Sequence, residues 1–129
     1  MSQASVGLVQ AMLDHAIHAR WDQLRTVLAE DFVIIEPDSL PYGGSHHGVD
    51  GYCALMKKID ALFELAFEPE GLHAVGENLV MLHMNVTFSA RTTGRKSRQP
   101  VVELFTVRAA HLVRSEVFLF DTAAVLATL

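Results

Sequence analysis

Residues 32–44 read FVIIEPDSLPYGG, an apolar run that ends on an acid and a proline and continues into a turn-rich loop. Pro37 fixes its own φ, donates no N–H and favours an extended conformation at Glu36. The sequence therefore predicts a strand over 32–36 whose final carboxylate lies at the mouth of whatever the strand packs against. An acid held beside apolar residues is suited to act as a general base, and the same pattern is also typical of an ordinary strand end.

Apolar residues recur at helical spacing on both sides of this strand. The spacing predicts a first helix near the N-terminus, a short second helix from Asp22, and a third helix from about Asp50 to Leu65. The loop over residues 37–48 separates the strand from the third helix. The apolar stripe of that helix contains Tyr52, Leu55, Met56, Ile59, Leu62 and Phe63.

The second half of the chain changes to a period of two. Between Ala66 and Asp121, four predicted strands are separated by turn signals near residues 76–78, 93–95 and 108–110, and a terminal helix follows. Helices followed by a strand meander indicate an α+β architecture. We expect one domain over residues 1–129, with about three helices packed in a strongly curved antiparallel sheet. Because the strands are apolar on both faces, the outer face of the sheet is expected to pair with a second copy as a homodimer.

Composition narrows the classes of function. Half of the 129 residues are hydrophobic and 19% are charged, which is typical of a well-packed globular domain. A net charge of −5 argues against nucleic-acid and anionic-membrane binding. Cys53 is the single cysteine, and the seven histidines form no recognisable metal motif, so we expect no disulfide, no metal and no cofactor. The absence of a signal-peptide pattern and of a long apolar run predicts a cytoplasmic protein.

Five segments, taken in order, resemble the SnoaL-like and ketosteroid-isomerase-like branch of the nuclear transport factor 2 (NTF2) superfamily. They are WDxL at 21–24, LAEDFV at 28–33, EP at 36–37, LPYGG at 40–44 and LFDTAAVL at 119–126. The resemblance covers essentially the whole chain. It implies a cone-shaped NTF2-like fold whose sheet wraps around the third helix, a deep apolar pocket, and homodimers joined through the outer sheet face. It also implies either a carboxylate-based isomerase, cyclase or hydrolase, or a binding module without chemistry.

Two catalytic candidates follow from this resemblance. The general-base position, just before a proline at the end of the first strand, corresponds to Glu36, with Asp38 as a competing base. A second acid, followed by an aromatic residue two positions on, corresponds to Glu103. Glu103 also stands out without the resemblance, because residues 101–107 are otherwise apolar on both strand faces, so its charge must be paired, protonated or in a cavity. A neutral Glu103 would donate a hydrogen bond to a developing oxyanion, whereas a salt bridge to Arg114 would make it structural.

The isomerases add a tyrosine donor from the first helix, where this chain has Met12, so steroid isomerase activity itself is not expected. We expect instead a pocket for a small, largely apolar, carbonyl-bearing metabolite, with Glu36 as base and Glu103 as acid. The alternative is a non-catalytic dimeric binding or accessory module. His83 joins the pocket only if its strand face points inward, which the sequence leaves open. The predicted ligand-binding residues are Met12, Tyr42, Leu55, Phe63, His83, Phe105, Val117 and Leu119.

Overall fold

In residues 2–129, which the structure describes, the computed structural model has four helices and six strands. The helices are α1 (Ser2–Ile17), α2 (Trp21–Leu24), α3 (Gly48–Leu62) and α4 (Thr122–Leu126). The strands are β1 (Leu28–Glu36), β2 (Gly44–His47), β3 (Phe63–Val75), β4 (Leu79–Ala90), β5 (Lys96–Arg108) and β6 (His111–Leu119). Within this described part of the chain, every helix is too short or too polar to cross a lipid bilayer.

The six strands form one curved sheet in the order β2-β1-β6-β5-β4-β3. Strands β3 to β6 make the predicted antiparallel meander, and their connections fall at the predicted turn signals. Strand β6 then lies beside β1 and runs parallel to it, so the sheet as a whole is mixed. The expected α+β architecture with a curved sheet is confirmed.

Three element boundaries differ from the predicted ones because pairing partners lie far away in the chain. Strand β1 begins at Leu28, which already pairs with β6. The predicted loop contains β2, which pairs antiparallel with β1. Helix α3 ends at Leu62, since Phe63 takes an extended conformation (φ −134°, ψ 145°) and pairs with Ala90 of β4.

The two faces of the sheet have different partners. Helices α1 and α3 pack against one face, here called the inner face, and the opposite face is called the outer face. On β4 the inner-face side chains are all buried, and they are Val80, Leu82, Met84, Val86 and Phe88. Burying each large apolar side chain stabilises the fold by about 1.5–3 kcal/mol. A one-residue slip in register would move all of them to the outer face, so this parity is strongly specified.

The turn between β5 and β6 has an unusual backbone. Ala109 and Ala110 both have positive φ, at 48° and 63°. Two consecutive positive φ values are typical of a type I′ hairpin turn, which favours asparagine and glycine. Holding an alanine at positive φ lowers the stability of the folded protein by about 1 kcal/mol relative to glycine, because its Cβ crowds the backbone. This turn is therefore strained.

Candidate functional site

Glu36 is the last residue of β1 and points to the inner face, in line with Phe32 and Ile34. It is only 6% exposed. Burial raises the pKa of Glu36 to about 8, and the nearby negative charge of Glu103 adds to this rise. Asp38, the competing base in the sequence analysis, is exposed on the following loop and lacks this environment.

Glu103 lies on the inner face of β5, opposite Val117 of β6. Its carboxyl Oε2 accepts a hydrogen bond of 2.5 Å from the hydroxyl of Ser115, a fully buried residue. Although the Glu103 side chain is partly accessible, desolvation raises the pKa of Glu103 to about 7, and the Ser115 hydrogen bond opposes that rise. The expected alternative partner, Arg114, points to the outer face and pairs with Glu116 at 3.2 Å, so that salt bridge to Glu103 does not form.

Two tyrosines stand next to these carboxyl groups. Tyr42 is 3% exposed in the loop between β1 and β2, and burial together with the charge of Glu36 raises the pKa of its phenol. Tyr52 of α3 is 6% exposed, and its pKa is raised by burial first and then by the charge of Glu103, with smaller effects from Cys53 and Glu36. Both phenols are therefore protonated at neutral pH and available as donors.

Local backbone geometry explains how each tyrosine is positioned. The loop turns twice before β2, with Leu40 N–H donating to the Pro37 carbonyl at 3.1 Å and Gly43 N–H donating to the Leu40 carbonyl at 2.9 Å. A Cβ on Gly43 would lie 2.8 Å from the Asp38 Cα, so this close approach needs glycine. On α3, the ring of Tyr52 meets that of Phe32 edge to face, with centroids 6.3 Å apart. These contacts fix the backbone on both sides of Tyr42 and place the Tyr52 ring against Phe32 of β1.

Three polar side chains of this cluster, unlike Glu103, have no hydrogen-bond partner in the described part of the chain. Among the described residues, none donates or accepts a hydrogen bond with the Glu36 carboxyl or with the hydroxyls of Tyr42 and Tyr52. In the same part of the chain, every completely buried side-chain nitrogen or oxygen has a hydrogen-bond partner. It follows that these three groups, although their residues are more than nine-tenths buried, have oxygen atoms that solvent can reach.

No cation neutralises the two carboxylates within residues 2–129. The ion pairs of this region are surface pairs, such as Arg98 with Glu68 at 2.8 Å and Arg25 with Asp50 at 3.0 Å, and none includes Glu36 or Glu103. Two carboxyl groups in one low-dielectric environment without a counter-ion cannot both ionise easily. The charge of Glu103 therefore disfavours ionisation of Glu36.

The predicted ligand-binding residues fall into three groups. Val117 and Leu119 lie on the inner face of β6 and are partly accessible, and Val117 is directly opposite Glu103. Tyr42 belongs with them because it lies near Glu36. Four others are completely buried in the core, and they are Met12, Leu55, Phe63 and Phe105. His83 is exposed on the outer face of β4, opposite Val102, so its polar group does not join Glu36 and Glu103.

Sequence reasoning missed the roles of Tyr52 and Ser115. Tyr52 belongs to the apolar stripe of α3, and the signal that could have identified it is its phenol, because a buried hydroxyl on such a stripe needs a polar partner. Ser115 has the same parity on β6 as Val117 and Leu119. A serine in that apolar series is the signal that a polar group lies opposite or beside it.

Two surface clefts lie away from the glutamates. A cleft of about 780 Å³ is lined by residues from the start of β1, the start of α3 and the β5–β6 turn, including Arg25, Asp31, Asp50 and Arg108. A second cleft of about 380 Å³ lies between α1 and the same turn. Neither is lined by Glu36 or Glu103. The arginines of the larger cleft already bind its acids, as in the Arg108–Asp31 pair at 2.9 Å.

Comparison with known proteins identifies the family. A family model for the SnoaL-like domain matches residues 9–115, most of the chain. The chain belongs to the SnoaL-like family. Among curated proteins, no sequence matches it.

Solved structures share the fold of this SnoaL-like chain. An NTF2-like protein from Burkholderia xenovorans LB400 is 25% identical, with 99% of this chain and 97% of that chain covered and a TM-score of 0.89. TerC, co-crystallised with polyporic acid, is 15% identical, with 97% of each chain covered and a TM-score of 0.83. An LEH-like epoxide hydrolase from M. tuberculosis is 14% identical, with coverage of 99% and 90% and a TM-score of 0.71. The NTF2-like fold implied by the sequence is confirmed, and the last two similarities concern the fold alone.

Proposed function

We propose that this SnoaL-like domain binds a small, largely apolar, carbonyl-bearing metabolite at its inner face and moves a proton beside the carbonyl with Glu36 and Glu103. The observation that supports this most directly is the pair of inner-face carboxyl groups on β1 and β5, the two strands that flank β6, with no basic partner among the described residues. Carboxyl groups in such surroundings are typical of acid–base sites, because purely structural acids are usually paired with cations.

The chemistry needs one group of each kind. With pKa values near 8 and 7, the pair holds about one proton near neutral pH, as one carboxylate and one carboxylic acid. The carboxylate takes a proton from the carbon beside the carbonyl, and the carboxylic acid donates a hydrogen bond to the oxygen as negative charge develops there. Return of the proton to another carbon gives an isomerase, and attack of the enolate on a second electrophilic carbon gives a cyclase.

The surroundings support an apolar ligand. Val117 and Leu119 are partly accessible beside the carboxyl groups, and the buried side chains of Met12, Leu55, Phe63 and Phe105 would form the apolar wall behind them. Such a mixture, mainly apolar with a few converging polar groups, is common in small-molecule sites. The complex of TerC with polyporic acid and the epoxide hydrolase from M. tuberculosis are consistent with ligand binding and hydrolytic chemistry as uses of this fold.

A second candidate is a dimeric binding module without chemistry. The outer face of the sheet carries apolar side chains at its centre, where Val102 of β5 lies opposite Phe118 of β6, and Leu104 lies opposite Met81. Phe118 is 49% exposed in the single chain. An exposed apolar patch of this kind favours contact with a second copy, so we propose a homodimer through the outer face for either function.

The experiment begins with native mass spectrometry of the purified protein to identify a co-purifying ligand, followed by turnover and binding assays with that compound. Glu36→Gln and Glu103→Gln should fold normally and bind the compound within about tenfold of the unchanged protein, while turnover falls at least about 100-fold. Glu64→Gln, at an exposed position of β3, is the matched control and should retain turnover. Full turnover in both site variants would leave only the binding module.

A further inference from the structure

Resting on the acid–base function proposed above, we propose that Glu103 is the proton acceptor and that Glu36, together with Tyr42, donates hydrogen bonds to the carbonyl oxygen. This reverses the roles that the family resemblance implies. The assignment depends on which hydrogen-bonding groups surround each carboxyl.

Ser115 favours the ionised form of Glu103. Its hydroxyl is completely buried on the inner face of β6 and donates to the Glu103 Oε2 atom. A donor aimed at a carboxyl oxygen stabilises the carboxylate more than the neutral acid. A buried hydroxyl also loses stability if it has no acceptor, so Ser115 holds the Glu103 carboxylate in one orientation. Glu103 is therefore held as an oriented carboxylate, the form that accepts a proton.

Glu36 has the opposite surroundings. None of the described residues donates a hydrogen bond to its carboxyl, and the residue is more than nine-tenths buried. Desolvation and the negative charge of Glu103 both favour its neutral form. A neutral carboxylic acid carries an O–H that donates. No hydrogen bond opposes the rise in the pKa of Glu36, whereas the Ser115 hydrogen bond opposes the rise in the pKa of Glu103.

Tyr42 adds a second O–H donor at the same end of the site. Tyr42 is 3% exposed in the β1–β2 loop, whose backbone is held by two turn hydrogen bonds. Its hydroxyl has no hydrogen-bond partner among the described residues, and the charge of Glu36 contributes to the raised pKa of its phenol. The site therefore has two different ends. The hydrogen-bond donors Glu36 and Tyr42 lie near the end of β1, and the proton acceptor Glu103, held by Ser115, lies on β5. A carbonyl oxygen fits the first end, and the acidic C–H beside it fits the second.

The resulting step is balanced. The Glu103 carboxylate takes the proton from the carbon next to the carbonyl, the C–H electron pair forms a C=C bond, and the carbonyl electron pair moves to the oxygen. That oxygen accepts hydrogen bonds from Glu36 and Tyr42. Glu103, now protonated, returns the proton to another carbon of the conjugated system, so the double bond shifts with no net change in atoms.

The test uses 4-nitrophenol as a probe, because its anion imitates the charged oxygen and its absorbance reports binding and ionisation. Glu36→Ala should weaken binding of the anion about tenfold or more, since it removes a donor to a charged group. Tyr42→Phe should weaken it several-fold. Glu103→Ala should not weaken binding and should tighten it, because a negative charge is removed. Glu64→Ala, on the exposed side of β3, is the matched control and should bind as the unchanged protein does.

A second measurement does not depend on the stability of the alanine variants. Carbon-13 NMR of labelled glutamate side chains in the unchanged protein should show that Glu103 ionises at lower pH than Glu36. Weaker binding in Glu103→Ala with tighter binding in Glu36→Ala, or the reverse order of ionisation, would overturn the role assignment and leave the acid–base function standing. If 4-nitrophenol does not bind and both carboxyls titrate at ordinary values, the proposed function fails as well.

Discussion

Replacing Glu36 by glutamine should stabilise the folded protein, and the gain in free energy of unfolding should increase with pH. Glutamine has nearly the same shape as glutamate but carries no ionisable group. In the folded protein Glu36 is only 6% exposed, and its carboxyl has no hydrogen-bond donor or cation among the described residues. Its ionisation therefore costs stability, and the substitution removes that cost.

The magnitude follows from proton linkage. The pKa of Glu36 rises from its ordinary value of 4.5 to about 8 on folding. Between these values the folded chain keeps a proton that the unfolded chain has released, so stability falls as pH rises through this window, and the loss is complete above the folded pKa. An interval of about 3.5 pH units at about 1.4 kcal/mol per unit amounts to about 5 kcal/mol.

Urea unfolding of the unchanged protein and of Glu36→Gln from about pH 5 to about pH 9 measures this difference, with stability extrapolated to water at each pH. The free energies of unfolding of the two proteins should differ by less than about 1 kcal/mol at the acidic end, and that of the variant should be higher by several kcal/mol at the basic end. Glu64→Gln, which changes an exposed glutamate, should follow the unchanged protein throughout. Parallel curves for Glu36→Gln and the unchanged protein would refute the reasoning, because the carboxyl would then titrate alike in both states.

Three further predictions concern other contacts. Ser115→Ala removes the hydroxyl that opposes the pKa rise of Glu103, so the pKa of Glu103 should move further upward in an NMR titration, and an unchanged midpoint would contradict this. Ala110→Gly relieves a positive-φ alanine and should raise the free energy of unfolding by about 1 kcal/mol in urea denaturation; a loss of stability would show that the strain argument is wrong. Phe118→Glu should convert the proposed dimer to a monomer in light scattering, whereas Phe67→Glu, at an equally exposed site on the edge strand β3, should leave the mass unchanged.

Local features of the sequence were enough to predict most of the architecture. Pro37 ends β1 wherever that strand packs, because its restricted φ and missing N–H act within two residues. The turn segments at 76–78 and 93–95, which contain glycine and polar residues, likewise separate the strands of the meander, since such residues bend the chain without help from distant partners. The two acids were visible for the same reason: one precedes a proline, and the other interrupts an apolar strand.

The tertiary structure decided what required contacts between distant residues. The sequence could not place His83, because the face on which a strand residue lies depends on register with its neighbours, and here β4 turns its polar side chains outward. It also could not bring Ser115 to Glu103 or Tyr52 to Phe32, since these pairs meet only when β6 pairs with β5 and α3 packs across β1. The sequence by itself therefore determined the helices and strands and the positions of the two acids. The pKa values and hydrogen-bond partners of those acids depend on burial in the folded protein, which no local sequence pattern encodes.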